Sequence, residues 1–229
     1  MKTPLLALSV LLLCVTTQQS SSQQIKGEAC HISLDGFTFT RSLNGAAAHS
    51  KVESDKLTLT SEAKGDTFRD PEDTFTSNTA PLLLTEVDNR KPFTLTAKVT
   101  PTFLTTYDAG ALFIYVKDDL WFKVAPEMDE RHKTRMISIL TTGTSDDNDH
   151  EVVTEKSVFM KISSDVRKVG VYYSLDAKNW QLIRVFKNDY PPSIWLGISS
   201  QSPIGNGTAA VFEELSLTQQ SIVDFRMGN

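Results

Sequence analysis

The segment Trp121–Glu127, W-F-K-V-A-P-E, carries an indole, an ammonium and a carboxyl group at alternating positions. Alternate side chains of an extended chain leave on opposite faces, so Trp121, Lys123, Ala125 and Glu127 share one face and Phe122 and Val124 take the other. A hydrophobic core accepts the second set and rejects the first. The mixed face therefore reads as a ligand-binding surface. Sugars suit such a face, because their C–H faces pack on rings while their hydroxyls make directional hydrogen bonds. Two further segments show the same alternation. Thr94, Thr96 and Lys98 alternate with apolar residues in Phe93–Val99, and Phe159 and Lys161 do so in Val158–Ile162. If all these strands share a sheet, the face opposite its core carries rings among polar donors.

No other residue pattern marks a reaction. His31, His49, His132 and His150 form no pair with zinc spacing, and no G-x-S-x-G is present. Asp147, Asp149 and Glu151 offer oxygen ligands at alternating positions, but an EF-hand loop starting at Asp147 would need glycine where Val152 stands. We expect no cofactor, with calcium at these acids as the alternative.

The elements that position these residues read as strands. Period-two segments cover Leu57–Thr60, Phe93–Thr100, Ala111–Val116, Trp121–Ala125, Met136–Leu140, Val158–Ile162, Val169–Ser174, Gln181–Phe186, Ile194–Ser199 and Ala209–Leu217. Turn-rich pieces separate them, among them Lys117-Asp118-Asp119, Asp146–Asp149 and Pro203–Gly207. This is the pattern of an all-β sandwich. We expect a leader over residues 1–22, one sandwich domain over 23–218 and a C-terminal tail over 219–229.

The leader expectation rests on Lys2 and the apolar run Leu5–Val15, followed at once by T-T-Q-Q-S-S-S. The run suits a secretory signal peptide and is too short to span a bilayer. Cleavage is expected after Thr17 or Ser22, which makes the product secreted. Cys14 leaves with the leader, and Cys30 is then an unpaired thiol, read as a bystander. The net charge of −5 without a basic stripe excludes nucleic acid as a natural partner. Asn206-Gly207-Thr208 is a glycosylation sequon in turn-like sequence.

Several segments together resemble the regulation of enolase protein 1-like family within the concanavalin A-like lectin/glucanase superfamily. They are Asp66–Glu72 (D-T-F-R-D-P-E), Asn78–Leu84 (N-T-A-P-L-L-L), Phe93–Val99 (F-T-L-T-A-K-V), Tyr107–Leu112 (Y-D-A-G-A-L), Trp121–Glu127, Gly143–Asp146 (G-T-S-D), Tyr172–Trp180 (Y-Y-S-L-D-A-K-N-W) and Gln201–Pro203 (Q-S-P). The resemblance implies a jelly-roll sandwich of two antiparallel sheets, one of them concave. It also implies a polar cluster of Trp121, Lys123, Glu127, Arg69, Asp70 and Asp146, with Lys161 in place of a family arginine. The family pattern has arginine where Thr142 stands, tryptophan at Asp147 and a second arginine at Ser164. These departures imply weaker binding or a different ligand.

The glucanases of that superfamily place catalytic acids as E-x-D-x-x-E on one strand. Glu127-Met128-Asp129 begins this way, but His132 stands at the last position. The expected function is non-catalytic binding of a carbohydrate or other small polar ligand. The alternatives are a protein-interaction module and a degenerate glycoside hydrolase.

Overall fold

The computed structural model describes residues 26–34 and 36–229, so the expected leader lies outside the described residues. The described residues form strands and turns with no helix. The strands are β1 (Glu28–Leu34), β2 (Phe37–Leu43), β3 (Ser50–Glu53), β4 (Lys56–Glu62), β5 (Thr67–Arg69), β6 (Thr76–Asn78), β7 (Leu82–Asp88), β8 (Phe93–Pro101) and β9 (Ala109–Lys117). They continue as β10 (Leu120–Met128), β11 (Thr134–Thr142), β12 (Thr144–Val152), β13 (Val158–Ser164), β14 (Lys168–Ser174), β15 (Gln181–Lys187), β16 (Ser193–Gln201) and β17 (Gly207–Thr218).

Two antiparallel sheets make the jelly-roll sandwich. One has eight strands in the order β1-β2-β7-β16-β9-β10-β11-β12, the other seven in the order β15-β14-β13-β8-β17-β4-β3. Every expected strand is present, several of them longer than their apolar pattern. β10 runs on through Pro126 to Met128. Pro126 pairs with Met136 of β11, while the β9 ladder skips from Val124 to Glu127, so the missing N–H falls where no bond is made.

The space between the sheets holds the main core, including Phe39, Leu59, Phe93, Leu95, Leu112, Ile114, Phe122, Val124, Ile162, Leu196 and Phe212. Phe122 and Val124 therefore point where their alternation places them. Gly110 sets the spacing of the sheets, because a Cβ there would approach Ala210 and Val99 to 2.7 and 2.8 Å.

The structure corrects the expectation for the other face of β10. Residues 63–81, with the small β5–β6 ladder, fold over it as a cap. They enclose a second apolar cluster of Leu43, Leu82, Leu84, Phe113, Tyr115, Trp121, Ala125, Ile137 and Ile139. Trp121 is completely buried there, packed on Phe113 at 5.9 Å, with Nε1 donating to Asp118 O at 3.2 Å. Its ring lies outside the inter-sheet core, as alternation requires, yet it is no open stacking platform.

A second correction concerns sheet membership. β8 and β13 pair with each other, but in the seven-stranded sheet, so Thr94, Thr96, Lys98, Phe159 and Lys161 lie on the far side of the molecule from β10. The tail covers part of that surface. Tyr172 OH donates to Phe225 O at 2.8 Å, and Thr94 Oγ1 donates to Gln220 O at 2.7 Å.

Burial of the Trp121 ring gives a stability prediction. Trp121→Ala should cost about 3–5 kcal/mol in denaturant unfolding, the range for removing a buried large aromatic. A loss below about 1 kcal/mol, the scale of an ordinary surface change, would mean that the cap does not enclose the ring.

Candidate functional site

Register places the side chains of this face in rows. Strand pairing aligns Gln201, Ala109, Glu127 and Arg135 in one row. A parallel row holds Gly197, Phe113, Lys123, Ile139 and Asp147, and another Trp195, Tyr115, Trp121, Thr141 and Ser145. The cap roofs the Trp121 row. Toward Glu127 a cleft of about 360 Å³ stays open, lined by Asp66, Phe68, Phe75, Tyr107, Lys123, Glu127, Glu130, Ile139, Asp147, Pro203 and Ile204.

Lys123 sits at the boundary between roofed and open parts and is only 3% exposed. Its Nζ donates to Thr67 O at 2.9 Å and to Gln201 Oε1 at 2.7 Å, and lies 3.8 Å from Asp66 Oδ1. Two hydrogen bonds and one longer ion pair therefore hold the ammonium group. It also lies 5.8 Å from the centre of the Trp121 ring. The lysine expected to meet a ligand thus ties cap to sheet.

Arg69 and Asp70 build the cap as well. Arg69 Nε donates to Gly143 O, its backbone N–H donates to Ser145 Oγ at 3.1 Å, and its guanidinium lies 3.6 Å from Asp73. Asp70 Oδ2 accepts from Thr74 N at 3.2 Å and Thr74 Oγ1 at 2.5 Å, bonds that hold its carboxyl below the usual range. Neither lines the cleft.

Of the other expected site residues, Glu127 alone opens into it. Asp146 is opposite Leu140, whose side chain packs on the main core, and reaches Arg184 of the other sheet at 3.3 Å. The next residue, Asp147, enters the cleft instead. Lys161 is remote, donating to Gly228 O at 2.8 Å under the tail and lying 3.6 Å from the Trp180 ring centre. Burial pulls its ammonium down to about 8. Asn206 is exposed in the turn before β17. Among the described residues no three of His, Cys, Asp or Glu converge as a metal site would require.

The remaining lining residues escaped sequence reasoning. Asp66 and Phe68 flank Thr67 on the cap, four and two positions before Asp70 in the quoted motif. Tyr107 donates its OH to Glu130 Oε1 at 2.9 Å. The loop before β9 is fixed by Asp108, fully buried, which accepts from Leu104 N, Thr105 N and Ser202 Oγ at 2.8, 2.9 and 2.7 Å. That carboxylate binds the Tyr107 rim to the Pro203–Ile204 rim.

The cleft is electrostatically unbalanced. Burial pushes the Glu127 carboxyl up to about 8; Lys123 opposes the shift, and Asp147, Asp66 and Asp149 add to it. Asp147 is also raised, again mainly by desolvation.

A family model described as "Protein of unknown function (DUF1349)" matches residues 43–220. The chain belongs to this family. The chain is 25% identical over 167 residues to "Regulation of enolase protein 1" of Saccharomyces cerevisiae, covering 72% of this chain and 83% of the yeast protein. The solved structure of a functionally unknown protein from Saccharomyces cerevisiae superposes with a TM-score of 0.72 at 23% identity, covering 80% of this chain and 96% of that one. The GH43 BlXynB protein from Bacillus licheniformis superposes with a TM-score of 0.60 at 12% identity over 76% of this chain, but this spans only 35% of that chain. The last two likenesses concern the fold. The family resemblance read from the motifs agrees with the family model and with the yeast relative.

Protonation of Glu127 gives a pH prediction. Between about pH 4.5 and about 8 the native state keeps a proton that the unfolded state releases, so stability falls as pH rises through that window. Glu127→Gln should flatten this decline, raising the melting temperature at pH 8 relative to wild type and leaving it unchanged near pH 4. Parallel pH profiles for the two proteins would show that Glu127 ionises normally.

Proposed function

We propose that this DUF1349 chain is a secreted, non-catalytic sandwich that binds carbohydrate in the cleft between the cap and strands β10–β12. One observation carries the reading: exposed apolar side chains rim a pocket of hydrogen-bonding carboxyl groups. Phe75 and Ile204 are 55% and 51% exposed, and both line the cleft with half-buried Phe68 and Tyr107. Exposed apolar groups gathered around polar ones mark a binding site more than a solvated surface. Rings accept the C–H face of a sugar, and Glu127, Glu130 and Asp147 accept its hydroxyls.

The stacking role expected of Trp121 passes to Phe75 and Tyr107, with Trp121 and Lys123 as the buried floor that holds them. The absence of catalysis is supported by Asp129, the second acid of the partial E-x-D pattern. Its oxygens accept from Arg131 N and Lys133 N at 2.9 Å and from Arg135 Nε and Nη2 at 3.2 Å, leaving none for a substrate. Secretion rests on the Leu5–Val15 run, and a glycan at Asn206 would sit at the same end of the molecule as Ile204.

A glycan panel tests the reading with wild type, Phe75→Ala and a reducing-end assay. Binding to a saccharide, weakened about tenfold by Phe75→Ala at unchanged melting temperature, is the expected result; tenfold corresponds to about 1.4 kcal/mol. No binding to any glycan would contradict it and favour a protein partner, and release of reducing ends would restore the hydrolase alternative.

A further inference from the structure

A second groove, of about 730 Å³, lies between the end of β4, the loop after β8 and the start of β17. Its lining includes His49, Thr60, Glu62, Thr102, Leu104 and Asn206. Leu104 is 70% exposed there. A lone exposed leucine is ordinary on a protein surface. This one has polar walls around it: the hydroxyls of Thr60 and Thr102, and the His49 ring 3.6 Å from the Glu62 carboxylate. An apolar spot among hydrogen-bonding groups suits a sugar ring, whose C–H face covers the leucine while its hydroxyls meet the walls.

The sequon Asn206-Gly207-Thr208 supplies that sugar with an anchor. Asn206 is exposed and is itself a lining residue, so a sugar on its Nδ2 starts at the edge of the groove. Tethering of this kind gives even a weak contact a high effective concentration. The backbone between the two ends of the sequon decides where each points. Gly207 has a φ of +113°, and a Cβ on it would stand 2.7 Å from Ser61 O. This break in the extended chain lets Asn206 face solvent while Thr208, two residues on, is only 5% exposed. The Thr208 hydroxyl donates to Thr102 O, and its backbone pairs opposite Ser61 of β4. A transferase that must reach both Asn206 and Thr208 therefore acts before β17 closes between β4 and β8. Once the strand is in place, the sugar needs no room inside the sheet.

We propose that Asn206 carries an N-linked glycan whose first sugars lie in this groove against Leu104. The bond forms between Asn206 Nδ2 and the anomeric carbon of the first N-acetylglucosamine of a lipid pyrophosphate-linked oligosaccharide. The bond from that carbon to the pyrophosphate oxygen breaks, its electrons leave with the lipid pyrophosphate, and Nδ2 gives up one proton. The inference rests on the secretion part of the reading above and is independent of what the cleft binds.

The test is the full chain made in a eukaryotic secretory host, as wild type, Leu104→Ser, Asn206→Gln and the double variant, each read by intact mass and melting temperature. Exported wild type should carry the mass of a core glycan that Asn206→Gln lacks. Asn206→Gln should melt about 2–4 °C lower, the shift that a modest contact produces in a domain of this size. Leu104→Ser should lower the glycosylated protein by a similar amount and leave the Asn206→Gln background unchanged, because the leucine then has no sugar to cover it. Trimming the glycan to its first sugar should keep most of the stabilisation. Export with an unmodified mass would overturn the inference and leave secretion standing, whereas a chain retained in the cell would overturn both. A glycan that is present while Leu104→Ser has the same effect with and without it would also overturn the inference, since the sugar would then extend into solvent.

Discussion

A single buried ammonium group joins the two halves of the site. Lys123 projects from the middle of the eight-stranded sheet and meets a cap carbonyl, a side-chain amide from β16 and a cap carboxylate. A buried charge without partners is strongly destabilising, so the cap at Thr67 and Asp66 must stay in place for the lysine to remain where the strand puts it. The dependence runs both ways. With the lysine removed, Asp66 would be a nearly buried carboxylate lacking its cation. The cap in turn encloses Trp121, Phe113 and Tyr115, which gives the sheet an apolar cluster on the face that a simple two-layer sandwich leaves to water.

That arrangement explains the position of the cleft. The cap closes over the Trp121 row and ends short of the Glu127 row, so sheet, cap and the two rims joined by Asp108 meet around an open space. Apolar support lies beneath it, and Asp66, Glu127, Glu130 and Asp147 line it. The same enclosure raises the Glu127 and Asp147 carboxyl groups. On this face the ammonium is held between sheet and cap, while Glu127 and Asp147 line the open cleft.

Much of the fold was legible because alternation of apolar and polar residues is a local property. In β10 it separated Phe122 and Val124 from Trp121, Lys123 and Glu127, and both sets lie where it puts them. Two kinds of information were not local. The piece Asp146–Asp149, D-D-N-D, reads as an acidic turn, yet it lies inside the edge strand β12, whose charges suit an edge exposed to solvent. With that strand unread, nothing distinguished Asp146 from Asp147, which leave opposite faces. The cap is likewise invisible to periodicity, since residues 63–81 carry only two three-residue strands. Alternation therefore placed Trp121 off the main core correctly and its exposure incorrectly. Lys161 illustrates a third limit: its pattern matches that of β10, and only strand pairing assigns it to the opposite sheet. The motif residues Arg69 and Asp70 were drawn into the site by the family resemblance, while the apolar and acidic neighbours that line the cleft, Phe68 and Asp66, carry no distinguishing pattern of their own.

The central claim is that Lys123 holds the cap on a sandwich that is otherwise complete, and native-state hydrogen exchange of Lys123→Met tests it most directly. The account predicts lost protection for the amides of Thr79 and Ala80, which bond to Asp66 O, and of Ser202, which bonds to Gly65 O, with the amides of β8, β13 and β17 unchanged. Wild-type protection throughout the cap, or an equal loss in both sheets, would contradict it.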